Sequence, residues 1–177
     1  MFDTEETICA PPDATWAELT DQLLQTDECE RWIKLATQFV PVDLRPADEM
    51  TEMLRENVSQ RHMEFETHAF HNDHLLGFFS IEQRRARIGE GSLQPILMLS
   101  SIVRSATTPE GFGRVLVEEV IGRALTESDV KAIVVEPANN RVGQMWQDDY
   151  HFQPVDQPEK PGLLYLPVDV EVEREIL

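Results

Sequence analysis

The sequence predicts an α/β domain built on a sheet with antiparallel and parallel parts. Three observations predict it. The first third carries apolar residues at helical spacing. Two alternating segments flank a polar "HNDH" turn, as in a hairpin. Two continuous apolar runs, residues 96–103 and "KAIVV", then bracket an amphipathic stretch, the strand–helix–strand order of a parallel pair. At 177 residues the chain is read as one domain over 1–177. Within it, 1–61 form a helical N-terminal part, 62–170 the sheet and 171–177 an exposed tail.

The elements follow in order. "DATWAELTDQLLQTD" starts at Asp13 or Thr15 as N-cap and sets Trp16, Leu19, Leu23 and Leu24 on one face, so a helix is expected. "DECERWIKLATQFV" repeats the pattern with Cys29, Trp32, Ile33, Ala36 and Phe39. "RPADEMTEMLRENVSQRH" has Pro46 near its first turn, acids early and bases late, which suits the helix dipole. "HMEFETHAF" alternates as a strand, and "LLGFFSIEQ" returns after the turn. "RRARIGEGSLQP" reads as a polar loop, and "ILMLSSIV" as a strand buried on both faces. "RVLVEEVIGRAL" makes a helix with Val115, Leu116, Val120, Ala124 and Leu125 on one side. After "KAIVVEP", a short helix "NNRVGQMWQDDYHF" turns Val142, Met145 and Trp146 inward, and "FQPV" and "GLLYLPVDV" close as strands.

Composition narrows the function. The formal charge is −18, from 33 acidic against 15 basic residues. Such a surface repels phosphate backbones, so nucleic acid is disfavoured as a partner, and cationic partners are favoured. The acidic N-terminus lacks the order of a signal peptide, and no apolar run reaches the length of a membrane span. Two cysteines outside any metal-ligand spacing point to a reducing cytoplasm. His68, His71 and His74 flank the hairpin turn, where alternation separates His68 from His71, so a solvated turn is expected and no metal site. Arg84, Arg85 and Arg87 form the one basic cluster, read as a solvated loop or a contact for an acidic partner or coenzyme A.

The segment "SATTPEGFGRVLVEEVIGRAL" places Gly111 and Gly113 between the buried strand and a helix. With the later "IVVEPANNRVGQMWQDDYHFQPV", this order resembles the GNAT-family N-acetyltransferases over roughly 60–170. That family's signature is Gln or Arg, two residues, Gly, one residue, then Gly or Ala, matched here at Thr108, Gly111 and Gly113. The resemblance implies a mixed central sheet with helices on both faces, and acetyl-CoA as co-substrate. It implies contacts to the cofactor from Ile102 and Val103 at the strand end, from Thr108, Glu110, Gly111, Phe112, Gly113 and Arg114 in the turn, and from Asn140. Backbone N–H groups at a helix start favour an anion, and glycine lets a phosphate approach. The implied activity is transfer of an acyl group, acetyl above all, to a primary amine by direct attack. The acceptor is expected to be a small cationic amine or a basic protein, and a homodimer is compatible with the pattern.

The chain departs from the family at several residues. Thr108 replaces the Arg or Gln, Pro109 has no N–H, and Glu110 brings negative charge toward the diphosphate. Read without a ligand, Thr108 is an N-cap with Pro109 at the first helical position. Two registers align the later helix, one with Asn140 and Gly143, the other with Asn139. The tyrosine that often protonates the departing thiolate in the family falls on Gln147 or on Trp146, which leaves Tyr150 as the substitute. Glu136 is the best-placed carboxylate for a general base. The second hypothesis is a GNAT-fold binding module without chemistry, acidic and directed to a basic partner.

Overall fold

The computed structural model describes residues 10–28, 31, 39–41, 65–106, 108–127, 129–156 and 161–168. Its centre is an eight-stranded mixed sheet. The elements are β1 (Thr15–Glu18), α1 (Asp21–Leu24), β2 (Phe39–Pro41), β3 (Phe65–His71), β4 (Leu75–Arg87), β5 (Leu93–Ser105), α2 (Gly113–Thr126), β6 (Ala132–Val135), α3 (Asn140–Tyr150), β7 (Gln153–Pro154) and β8 (Leu164–Pro167). The sheet runs β1-β3-β4-β5-β6-β8-β7, and β2 also pairs with β5. Among the described residues only β5 and β6 pair in parallel, and α2 is their crossover.

The two faces separate by strand alternation. On one face Phe79, Ile81, Leu97, Leu99, Ile133, Val135 and Leu164 join Leu116, Val117, Val120 and Ala124 of α2 and Val142 and Trp146 of α3. The other face carries Thr67, Phe78, Ser80 and Val103, all buried. Thr67 and Ser80 oppose each other there and share a buried hydroxyl–hydroxyl hydrogen bond of 2.8 Å. The helix expected over "RPADEMTEMLRENVSQRH", residues 45–62, lies outside the described residues, as does the tail 171–177.

Four expectations are corrected. Residues 15–18 form an edge strand, not a helix: Thr15–Glu18 pair with His71–His68, and Trp16 stacks on Phe70 at 4.6 Å. Cross-strand stacking against the core decides over helical spacing here. Helix α1 keeps only Asp21–Leu24, capped by the Thr20 hydroxyl, which accepts from Leu23 N–H. Phe39 and Val40 pair with Ser105 and Arg104 as β2, at the end of a segment expected to be helical; Cys29 and Trp32 lie outside the described residues. The polar loop around Arg84, Arg85 and Arg87 is strand as far as Arg87, and β5 starts at Leu93, so the β4–β5 ribbon outruns β3. Helix α2 buries Val117 where Leu125 was expected; Leu125 is exposed.

Strands β3, β4 and β5, both long helices and β6 to β8 stand where the sequence places them. His68 and Phe70 are buried as well as Thr67 and Ala69, because β3 is covered on both faces. Among the described residues no helix is long and apolar enough to cross a membrane.

Candidate functional site

The parallel ladder between β5 and β6 is four residues long, from Ile96↔Ala132 to Leu99↔Val135. Beyond it the strands part. Strand β5 runs on to Ser105, where β2 pairs with its last three residues. At the parting point β5 carries a bulge: Ile81 pairs with Leu99 and Ser80 with Ser101, so Ser100 is the extra residue. Bulges bend a strand and re-aim its side chains. The result is a cleft of about 60 Å³, walled by Leu99–Ile102 on one side and by Val135–Ala138, Val142 and Trp146 on the other.

Of the residues proposed from sequence, Ile102 and Glu136 line this cleft. Glu136 follows directly on β6 and is exposed. Val103 is fully buried, pairing with Phe78 on one side and Pro41 on the other. Ser100, Ser101, Pro137, Ala138 and Trp146 also wall the cleft. Sequence reading did not single out the serines, because a bulge leaves no periodic signal in a continuous apolar run.

Three residues beyond the cleft, β5 ends in the glycine turn. Its base is tied inward: the Arg104 guanidinium donates to the Thr108 carbonyl at 3.2 Å and weakly to that of Ser105 at 3.5 Å. The Thr108 hydroxyl donates to the Ser105 carbonyl at 2.6 Å. This corrects the ligand-free reading of Thr108 as helix N-cap. The helix starts five residues later, at Gly113, with Phe112 in the cap position and no side-chain cap bond. Gly111 has φ 85, a backbone region that L side chains rarely adopt. Phe112 is buried and lies parallel to Phe70 at 6.1 Å, pegging the turn to the core between its two glycines. Glu110 and Gly111 are exposed. Arg114 is exposed and pairs with Glu118 one turn on at 3.3 Å.

Helix α3 is capped by Asn139, whose side chain accepts from Val142 N–H at 3.0 Å. Asn140 is its first residue and is exposed. The far end chooses between the two registers. His151 takes the left-handed conformation (φ 62) that glycine usually supplies after a helix, and Phe152 is buried. This favours the register in which His151-Phe152 matches the Gly-Phe pair, with Gly143 at the small position and Gln147 at the tyrosine position. The Gln147 side chain turns back to donate to Gly143 O at 3.3 Å. Tyr150 packs on Trp146 at 5.3 Å and is not among the cleft walls. Burial raises its phenol above 10.0, with Asp149 and Glu118 adding and Arg114 opposing.

The three histidines diverge. His68 is buried against Phe79, with Nε2 3.0 Å from the Glu66 carboxylate. His71 Nδ1 bonds Asn72 O, and the backbone N–H of His74 donates to the Asn72 side chain. Arg84 forms a 2.7 Å ion pair with Glu82, and Arg85 reaches Leu93 O across the ribbon.

No protein-family model matches the chain, and no curated protein is significantly similar to it. Solved structures are. The complex of AtaT with acetyl-methionyl-tRNAfMet superposes with a TM-score of 0.68 at 14% identity, over 93% of this chain and 100% of the other. The chain has the GNAT fold. A mutant AtaT toxin bound to the C-terminus of the antitoxin AtaR and acetyl-CoA shares this fold at TM-score 0.59 and 16% identity, over 93% and 98% of the two chains. The N-acetyltransferase PseH of Campylobacter jejuni shares it at 0.52 and 15%, over 89% and 100%. The glycine turn and the crossover helix between β5 and β6 are thus the parts of a GNAT fold that sequence reading expected.

Proposed function

We propose that the protein is an acyl-CoA-dependent N-acyltransferase that moves a short acyl group, acetyl first of all, to a primary amine by direct attack. The observation that carries this reading is the parting of β5 and β6 after Leu99 and Val135, which opens a cleft on the strand that ends in the glycine turn. Acyl-CoA supplies an activated thioester. The chain supplies an extended wall for the acyl-bearing arm at Ser100–Ile102. It also supplies a helix start at Gly113 for the diphosphate, with Gly111, Phe112 and Gly113 setting the approach, and Arg114 and Asn140 as exposed polar neighbours. The Phe112, Arg114 and Val115 N–H groups already donate to Pro109 O, Gly111 O and Phe112 O, so the fit rests on the backbone at Gly111 and Gly113. Glu110 opposes it by charge, and Arg104, bound to Ser105 and Thr108, is spent within the turn.

Glu136 is the general base in this reading, because it is the carboxylate in the cleft wall. Tyr150, packed on Trp146 outside the cleft wall, keeps its proton at neutral pH. A cationic acceptor suits the charge of −18: a small amine or a basic protein. AtaT was solved with acetyl-methionyl-tRNAfMet, so an aminoacylated RNA belongs in the acceptor screen beside amines and basic peptides.

Titration calorimetry with acetyl-CoA tests the reading. Binding is expected, and Gly111→Asp or Gly113→Asp should abolish it. No heat at millimolar ligand sinks the reading. Given binding, Glu136→Gln should lower kcat by about 100-fold or more, with the loss shrinking at high pH, where free amine is abundant.

A second reading is favoured by Glu110 beside the cradle and by Gln147 at the tyrosine position. It is a GNAT-fold module without catalysis that holds a basic partner on its acidic surface. Absence of acetyl-CoA binding together with capture of a basic peptide would establish it instead.

A further inference from the structure

The cleft wall includes a residue whose polar group the reading above does not use. Trp146 is 3% exposed and forms part of the cleft wall. Its ring is fixed on two sides, edge-on to Phe152 at 5.0 Å and tilted against Tyr150 at 5.3 Å. Among the described residues no acceptor engages its Nε1–H. A buried indole N–H nearly always has a partner, because leaving it unbonded costs its full desolvation. No hydrogen bond joins this indole to the neighbouring Gln147, whose amide nitrogen donates to Gly143 O within the helix. Trp146 stands in the cleft wall, so an occupant of the cleft is the partner to test.

We propose that Trp146 Nε1–H donates a hydrogen bond to a carbonyl oxygen of the bound acyl-pantetheine arm. This rests on the acyl-CoA reading and adds a positioning residue to it. The chemistry selects the partner. An indole nitrogen donates only, so it has nothing to offer an ammonium group, and the amine acceptor is not its ligand. Carbonyl oxygens occur on the donor side: one in the acyl thioester, others in the pantetheine amides. An arm lying along Ser100–Ile102 of β5 turns its outer edge to α3, and Trp146 is the α3 residue in the cleft wall that carries an N–H donor on its side chain. The indole holds the arm in place and releases no proton.

The test is binding, read apart from turnover. Wild type and Trp146→Phe, which keeps an aromatic ring and removes the N–H, are titrated with acetyl-CoA and with free CoA. The variant should bind about 3- to 10-fold more weakly, as expected for one neutral hydrogen bond. A loss confined to acetyl-CoA assigns the acyl carbonyl, and a loss with both ligands assigns a pantetheine carbonyl; either supports the inference. Equal affinities of variant and wild type for both ligands overturn it and leave the acyl-CoA reading standing. Failure of wild type to bind either ligand overturns both. A second readout needs no stable variant at position 146. The three tryptophans, Trp16, Trp32 and Trp146, give three indole N–H cross-peaks in a nitrogen-15 spectrum. Trp16→Phe and Trp32→Phe identify the third by elimination. That peak should move downfield on saturation with ligand, and a peak that stays in place refutes the contact.

Discussion

Gly77 measures how closely α2 rests on the sheet. It lies on β4 between Phe70 of β3 and Arg104 of β5. A Cβ built there falls 2.8 Å from Leu116 Cδ1, 2.8 Å from the Val103 carbonyl oxygen and 3.2 Å from Leu116 Cδ2. Carbon atoms in contact stand about 3.5–4.0 Å apart, so Gly77→Ala has to move both neighbours by several tenths of an ångström. Neither has room. Leu116 is fully buried, and Val103 belongs to a strand paired on both edges. Overpacking of this kind costs about 1–3 kcal/mol. In a chain of this size each kcal/mol lowers Tm by about 2–4 °C, so the expected loss is about 2–12 °C. Thermal unfolding followed by circular dichroism reads it. Leu116 is three residues into α2, so a displaced helix also moves the glycine turn, and acetyl-CoA affinity should fall with Tm. A variant melting within about 1 °C of wild type would refute the close approach and the seat it gives α2.

The opposite sign is expected at Gly122, exposed within α2 with no atom near its Cβ position: Gly122→Ala should stabilise by about 0.5–1 kcal/mol in urea unfolding. Asn139→Ala removes the cap of α3 and should cost about 1 kcal/mol, whereas Asn140→Ala should stay within about 0.5 kcal/mol of wild type while weakening acetyl-CoA in calorimetry. Equal losses would put the cap on the wrong asparagine. The raised phenol of Tyr150 has a signed consequence. Below pH 10 it is neutral in folded and unfolded chains alike and its contribution is complete. Above pH 10 the unfolded chain ionises first, and stability is lost as pH climbs through the folded value. Urea midpoints from about pH 9 to 11 should therefore fall less steeply in Tyr150→Phe.

The strands and helices of the second half were legible because their apolar patterns are strong and local. "ILMLSSIV" and "KAIVV" are continuous, and the helices between and after them are amphipathic. The first half misled at Trp16. Its spacing to Leu19 and Leu23 fits a helix, yet its stacking on Phe70 depends on a partner more than fifty residues away. The arginine-rich ribbon was read as a loop because charge and glycine marked it as solvated, and a two-stranded extension beyond the sheet is solvated as well. At the site, the glycine turn was legible as a motif. The cleft was not: its walls follow from where a ladder stops and where Ser100 is inserted, and neither leaves a mark on composition or period. The register of α3 was undecidable at its start, where two asparagines stand together. The left-handed His151 before a buried Phe152 favours the register with Asn140 from the other end.

The four-residue ladder between β5 and β6 divides the sheet into unequal cooperative units. On one side stand β1, β3, β4 and β5, with two thirteen-residue strands. On the other, β6, β8 and β7 contribute four, four and two residues. Among the described residues few hydrogen bonds cross that seam beyond the ladder, one of them Lys131 N–H to Pro95 O at 2.9 Å. The smaller unit therefore opens first, and its amides exchange with solvent at a lower free energy than those of the long strands. A molecule in the cleft touches both units at once and acts as a rivet across the seam. Occupancy would be recorded as slowed exchange in β6 and β8, remote from the turn that carries the family resemblance.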